Sequence, residues 1–193
     1  MGITADEIMQ FLRGSVEPVS DPIHGNRYRA AARMVDGTHL PCVVFQSRAA
    51  QVELALRRFE QERHKPAQYE GVVASFVSSG SRLWDHEIKA VETSPFAWPM
   101  SILSKIHGET TMGWTAFVVE MLDGTLHSYG KGFHWEFFEL PNGYSHTDIA
   151  RIHSGMVYSK KRGLHEFSME SFSEITPYRE KPFFTCFADI PRG

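Results

Sequence analysis

The chain has 193 residues, of which 42% are hydrophobic and 22% charged, and its formal charge at pH 7 is −3. These proportions are typical of a globular protein and exclude collagen-like, coiled-coil and disordered chains. No apolar run approaches the ~18 residues of a membrane span. The slightly acidic balance argues against a protein that mainly binds nucleic-acid phosphate.

The first residues and the two cysteines both bear on the cellular compartment. The segment 1–7 carries an acidic pair where a secretory signal needs positive charge. Cys42 and Cys186 each lie in an apolar run, which favours reduced thiols packed in a core. We therefore expect a cytoplasmic protein.

The first predicted element is a helix that begins after Thr4. Glu7 stands three residues later, at the capping-box spacing, and Ile3 and Ile8 occupy the positions of a hydrophobic staple. Gly14 is the predicted end of this helix.

A β-hairpin follows the first helix and the loop after it. Arginine alternates with smaller residues in the first half of 27–35, as in a strand with one exposed face. Asp36-Gly37 predicts a type I′ turn, and the chain returns as a more apolar strand over 38–46.

The remaining predicted elements combine further strands with short helices. In chain order they are a helix over 49–63 with Val52, Ala55, Leu56 and Phe59 on its apolar face; strands over 69–78 and 82–93; a short helix from Pro99 to Ile106; a hairpin of 114–122 and 125–129 around Asp123-Gly124; a strand over 133–140; a helix capped by Ser145 that includes Ile149 and Ile152; a helical turn around Phe172; and a last strand over 183–187.

One short sequence recurs in altered form. Met34-Val35-Asp36-Gly37-Thr38 is echoed by Met121-Leu122-Asp123-Gly124-Thr125, and both lie at predicted hairpin tips. A duplicated half-domain would place such turns at equivalent positions. Chance similarity around a common turn dipeptide is the alternative interpretation.

The pattern of elements predicts an α+β fold. Strands outnumber helices and strict β–α alternation is missing, so we expect a mostly antiparallel sheet built from hairpins, with three to four short helices packed mainly on one face. We expect a single domain over 1–193. Residues 1–20 could alternatively form a separately docked helix.

Five groups able to bind protons or metal fall between His127 and His153. On a strand, His134 and Glu136 project from one face, and His127 lies on the strand before it. With His127 they are candidate ligands of a divalent metal; a buried, hydrogen-bonded histidine is the alternative. The predicted binding surface consists of His127, His134, Trp135, Glu136, His146 and His153.

A second and weaker pattern surrounds Glu87 and Lys89. Two apart on a strand, they resemble half of a two-carboxylate nuclease site, in which carboxylates bind Mg²⁺ and a lysine positions the attacking water. A further acid would have to join them, and a solvated strand face is the alternative. They are the candidate catalytic residues.

The sequence lacks the common catalytic and phosphate-binding motifs. These are the phosphate loop, the dinucleotide fingerprint, the nucleophile elbow, H-E-x-x-H and C-x-x-C. We therefore expect a non-catalytic binding or regulatory module with a protein partner or a small ligand, without a cofactor, nucleic acid or membrane. The alternative is a metal-dependent hydrolase, of a nuclease-like or another type, that uses a divalent metal at either the His/Glu cluster or the Glu87/Lys89 pair.

Overall fold

The computed structural model describes residues 2–21, 25–49, 52–53, 57, 82–111, 114–131, 137–174 and 181–190. The chain divides into two compact units. The first unit comprises Met1–Pro95 with Phe183–Gly193, and the second comprises Phe96–Pro182. A single domain over 1–193 stays a prediction.

The first unit is built on a mixed sheet. Its elements are α1 (Ala5–Ser15), β1 (Pro18–Asp21), β2 (Gly25–Met34), β3 (His39–Ser47), β4 (Arg82–Leu83), β5 (Ile88–Thr93) and β11 (Phe184–Ala188). The strand order is β1-β2-β3-β11-β4, and β5 also pairs with β2. The last strand, β11, runs parallel to both β3 and β4, whereas the other pairings are antiparallel.

The sequence determines the start of α1 as predicted. The Glu7 N–H donates to Thr4 Oγ1 over 3.3 Å, and the Glu7 carboxylate accepts from the Thr4 N–H over 2.7 Å. Ile8 and Leu12 are fully buried in the core of the first unit. The capping box is therefore confirmed, and the helix runs one residue beyond Gly14.

The second unit contains an antiparallel three-stranded sheet and a β-ribbon. Its elements are α2 (Met100–Leu103), β6 (Thr115–Met121), β7 (Leu126–Lys131), β8 (Ile149–Ser154), β9 (Met156–Ser159) and β10 (Gly163–Glu166). The sheet order is β7-β6-β8, and β9 pairs with β10.

An aromatic cluster forms the core of the second unit. Phe117 stacks on Tyr129 with 5.2 Å between ring centroids, and Trp98 lies 5.0 Å from the Phe138 ring. All four side chains are buried. Offset and edge-on ring contacts of this kind add stability beyond the burial of their area.

Both hairpin tips place glycine in the left-handed region. Gly37 has φ of 92° and Gly124 has φ of 81°, while no other residue type in the described ranges has positive φ. A type I′ turn needs positive φ at both central residues, so the predicted type I′ turn at Asp36-Gly37 is wrong. Each tip is instead a three-residue loop that ends on the glycine.

The two units repeat one arrangement. In each unit, a third strand pairs antiparallel with the first strand of the hairpin: β5 with β2, and β8 with β6. In these pairings Met34 lies opposite Ile88, and Met121 lies opposite Ile149. The register then shifts at the same place in both pairs, through a β-bulge. The five-residue echo is therefore part of a longer structural repeat and not an isolated turn.

A hydrogen-bonded pair of an acidic and a basic side chain occupies the same position in each repeat, with the acid on a different strand in each. Arg33 precedes Met34 and lies 3.3 Å from Glu92, four residues after the start of β5. Glu120 precedes Met121 and lies 2.7 Å from His153, four residues after the start of β8. Both units thus keep a polar pair between the same two strands. The acid lies on the third strand, β5, in the first unit and on the first hairpin strand, β6, in the second unit.

The predicted fold class is wrong. The protein is mostly β over the described residues, with 46% strand and 21% helix, its sheets are mixed or antiparallel, and one of the two helices has seven residues or more. Ile149 and Ile152, three residues apart, mimic helical spacing. They lie in β8, where the bulge lets both side chains pack on the core of the second unit.

Several local expectations also change. Phe137 and Phe138 are both buried but lie outside any named strand, so this part of the predicted strand is not formed. Val52 is exposed, contrary to its place on a predicted core face. The predicted strand over 69–78 and the core anchors Leu56 and Phe59 lie outside the described residues.

The two cysteines behave as predicted. Cys42 and Cys186 are buried thiols, and burial raises the pKa of Cys186 to about 12. Neither α-helix in the described ranges has the length and apolar character that a membrane crossing requires.

Candidate functional site

The sheet of the second unit separates two of the predicted site residues. His127 pairs with Val119 and His153 pairs with Val118. Directly paired residues project to the same face, and consecutive residues project to opposite faces. His127 and His153 therefore lie on opposite faces of the sheet.

Each of these histidines has its own surroundings. His127 lies beside Tyr144, with 5.8 Å between ring centroids, and His153 Nε2 is 2.7 Å from the Glu120 carboxylate. His146 is exposed in the short 3-10 turn before β8. His134, Trp135 and Glu136 lie outside the described residues, so the predicted surface is described only in part.

The candidate catalytic pair is not arranged as a strand face. Glu87 belongs to a 3-10 turn before β5, where its carboxylate accepts from the Trp84 N–H over 3.0 Å. Lys89 is exposed on β5. In the described ranges, no group of three or more His, Cys, Asp or Glu side chains could hold a metal ion.

A serine–histidine contact that the sequence did not reveal lies near β10. Ser171 Oγ is 3.5 Å from His165 Nε2, and His165 Nδ1 donates to the Gly163 carbonyl over 2.9 Å. Arg162 also donates to Ser171 Oγ over 3.0 Å. Because Ser171 is fully buried, this network holds the ribbon to the following turn and presents no nucleophile to a substrate.

An exposed aromatic pair marks a corner of the first unit. Trp84 is 54% exposed, and its ring stacks on His86 at 6.4 Å with 22° between the planes. The Glu87 N–H donates to the Trp84 carbonyl, and the Glu87 carbonyl accepts from Val35 over 2.8 Å. We call Val35, Asp36, Trp84, His86 and Glu87 the Trp84 corner.

The second unit makes the same backbone corner without a Trp–His stack. The Asp148 N–H donates to the Ser145 carbonyl over 3.0 Å, and the Asp148 carbonyl accepts from Leu122 over 2.8 Å. The Asp148 carboxylate accepts from the Ser145 N–H over 2.7 Å, as Glu87 does in the first unit. Serine stands here at the position of Trp84, and Thr147 stands at the position of His86.

The residues shared by the two corners are those that the backbone arrangement requires. Both copies keep the acidic residue that ends the turn and the glycine of the hairpin tip. Only the first copy has an exposed Trp–His stack, so the fold of the corner does not require it. The sequence pattern predicted a strand over 82–93 that includes Trp84. The spacing of Trp84 to Glu87, which matches that of Ser145 to Asp148, was the sequence signal for a turn at this place.

Comparisons of the chain with protein-family models, with curated proteins and with solved structures found no match.

Proposed function

We propose that the protein is a non-catalytic binding module that contacts another protein through the Trp84 corner. One observation supports the proposal: the first unit exposes a Trp–His stack at a corner that the second unit builds with serine and threonine. Tryptophan is enriched among the residues that contribute most to protein–protein binding. The second unit builds the equivalent corner without this side chain, which favours a role for Trp84 in binding over a role in folding.

The neighbouring side chains extend this surface. Val35 is half-exposed at the hairpin tip, and its N–H is tied to the turn that carries Trp84. Val35 and Trp84 are both exposed apolar side chains on segments that this bond joins, and an interface uses an apolar centre with polar residues at its rim.

Site-specific photo-crosslinking in cells tests the proposal. A photo-crosslinking amino acid at position 35 should give a discrete adduct with another protein, and Trp84→Ser in the same chain should abolish it. The matched control places the crosslinker at Leu122, the equivalent tip residue of the second unit, which should not give that adduct.

A stability measurement accompanies this test. Trp84→Ser should change the free energy of unfolding by less than about 0.5 kcal/mol, because the side chain is exposed and serine serves in the equivalent corner. An adduct that persists without Trp84, or that forms equally at position 122, would contradict the proposal. Absence of any adduct at position 35 would contradict it as well.

A further inference from the structure

We infer that the partner presents a basic, arginine-containing segment to the Trp84 corner. The inference rests on the proposed function and adds the chemistry of the partner. It depends on the charges that surround the exposed Trp–His stack.

The N-terminal segment lies against the corner and leads into a helix turn that carries two acids. The Ile3 N–H donates to the Ile88 carbonyl over 3.0 Å. A Cβ at Gly2 would lie 3.7 Å from Val35 Cγ1 and 3.0 Å from the His86 carbonyl, so this segment runs directly against the corner. Asp6 and Glu7 follow in the first turn of α1 and are exposed.

Carboxylates outnumber cations around the corner. Arg48 pairs with Asp85 over 3.2 Å, so these two charges compensate each other. Of the remaining charged residues of these segments, Arg82 and Lys89 are the cations, and Asp6, Glu7, Asp36 and Glu87 are the acids. Asp36 is an exposed carboxylate that is ionised at neutral pH, and hydrogen bonds from Thr38 lower its pKa below the ordinary value. The corner therefore carries net negative charge.

An arginine side chain suits both features of this surface. A guanidinium group is attracted to the face of an indole ring, more strongly when water is displaced, and it binds carboxylates through paired hydrogen bonds. Trp84 supplies the exposed indole. Glu87 supplies a carboxylate that accepts from the Trp84 backbone N–H, and Asp36 follows Val35 in the hairpin tip that is bonded to the same turn. Nucleic acids and anionic membranes present phosphate, which these carboxylates repel.

Binding of short labelled peptides tests the inference. The probes are fluorescein-labelled (Arg-Gly)4 and (Glu-Gly)4, measured by fluorescence anisotropy with the full chain at low and at high salt. The arginine peptide should bind and should weaken as salt increases, whereas the glutamate peptide should not bind. Single-stranded DNA and vesicles with anionic lipid should also fail to bind.

Matched variants locate the binding site. Trp84→Ser should weaken the arginine peptide about fivefold or more, and Asp36→Asn should weaken it in the same direction while still accepting the bond from Thr38. Leu122→Ala and Asp123→Asn change the equivalent corner of the second unit and should leave the affinity unchanged. Equal losses in both corners would overturn the inference.

The outcomes distinguish the partner chemistry from the proposed function. Failure of the arginine peptide to bind, together with an adduct at position 35 that depends on Trp84, would refute the basic partner and leave the binding surface. Binding of DNA or vesicles that depends on Trp84 would replace the basic segment with a phosphate-bearing partner. Failure of both experiments would refute the proposed function itself.

Discussion

A tyrosine hydroxyl controls the ionisation of Asp123 at the second hairpin tip. Tyr144 donates to Asp123 Oδ2 over 2.6 Å, while the N–H and hydroxyl of Thr125 donate to the other oxygen over 2.9 and 2.7 Å. These bonds lower the pKa of Asp123 from 3.8 to about 2, and the bond from Tyr144 has the largest effect. Tyr144→Phe removes this bond and keeps the ring.

The first hairpin tip indicates how much of the lowering of the Asp123 pKa should remain in Tyr144→Phe. Asp36 accepts from Thr38 as Asp123 accepts from Thr125, and those bonds lower its pKa without a tyrosine. We therefore expect the pKa of Asp123 in Tyr144→Phe to rise towards 3.8 but to stay below it. At pH 3 a carboxyl with a pKa of about 2 is ~10% protonated, whereas one with a pKa of 3.8 is ~85% protonated.

Tyr144→Phe should also lower the folding stability of the protein. Because the pKa of Asp123 is lower in the folded protein than in the unfolded chain, its contribution is present above about pH 4 and is lost as the pH falls from 3.8 towards 2. Tyr144→Phe should shrink this contribution, so the variant should lose stability relative to the original chain at pH 5 to 7.

Carboxyl carbon chemical shifts measured by NMR between pH 7 and pH 3 test the prediction. By pH 3, Asp123 should be only ~10% protonated in the original chain and clearly more protonated in Tyr144→Phe, whereas Asp36 should titrate identically in both proteins. If Asp123 stays ionised at pH 3 in the variant, the tyrosine bond is not the main cause of its low pKa. A parallel shift of Asp36 would indicate a global change in structure.

Three further predictions concern the cores and the repeat. Phe117→Ala should cost about 3–5 kcal/mol in chemical denaturation because the ring is fully buried, while Leu122→Ala, at a side chain 71% exposed, should cost under about 0.5 kcal/mol; equal losses would refute the core assignment. Glu120→Arg should destabilise the second unit by about 1–3 kcal/mol, and adding His153→Glu should recover most of this loss in a double-mutant cycle, since the pair then matches that of the first unit. Native Cys186 should react with Ellman's reagent only after denaturant is added, because burial raises its pKa to about 12; rapid labelling without denaturant would place it at the surface.

Local signals in the sequence predicted local structure well. The cap formed by Thr4 and Glu7 and the two Asp-Gly tips depend on residues within a few positions of each other, so their geometry follows from nearby residues. The type of turn was missed because Asp-Gly occurs both in two-residue turns and in three-residue loops that end on glycine.

Features that depend on distant pairing were missed. Ile149 and Ile152 have helical spacing, and only the bulge opposite β6 shows that they belong to a strand. The parallel placement of β11 follows from long-range contacts that no local pattern records. Of the candidate site, Trp84 was overlooked because its exposure depends on the turn that Glu87 ends, whereas aromatic residues in a strand are normally interpreted as core.

The position of β11 has a consequence for synthesis of the chain. The sheet of the first unit includes residues 184–188, which pair between β3 and β4, whereas every residue of the second unit lies within 96–182. On the ribosome, the second unit is therefore complete before the first can close its sheet, which reverses the usual N-to-C order of folding. A chain that ends before Phe184 leaves the first sheet without its inner strand.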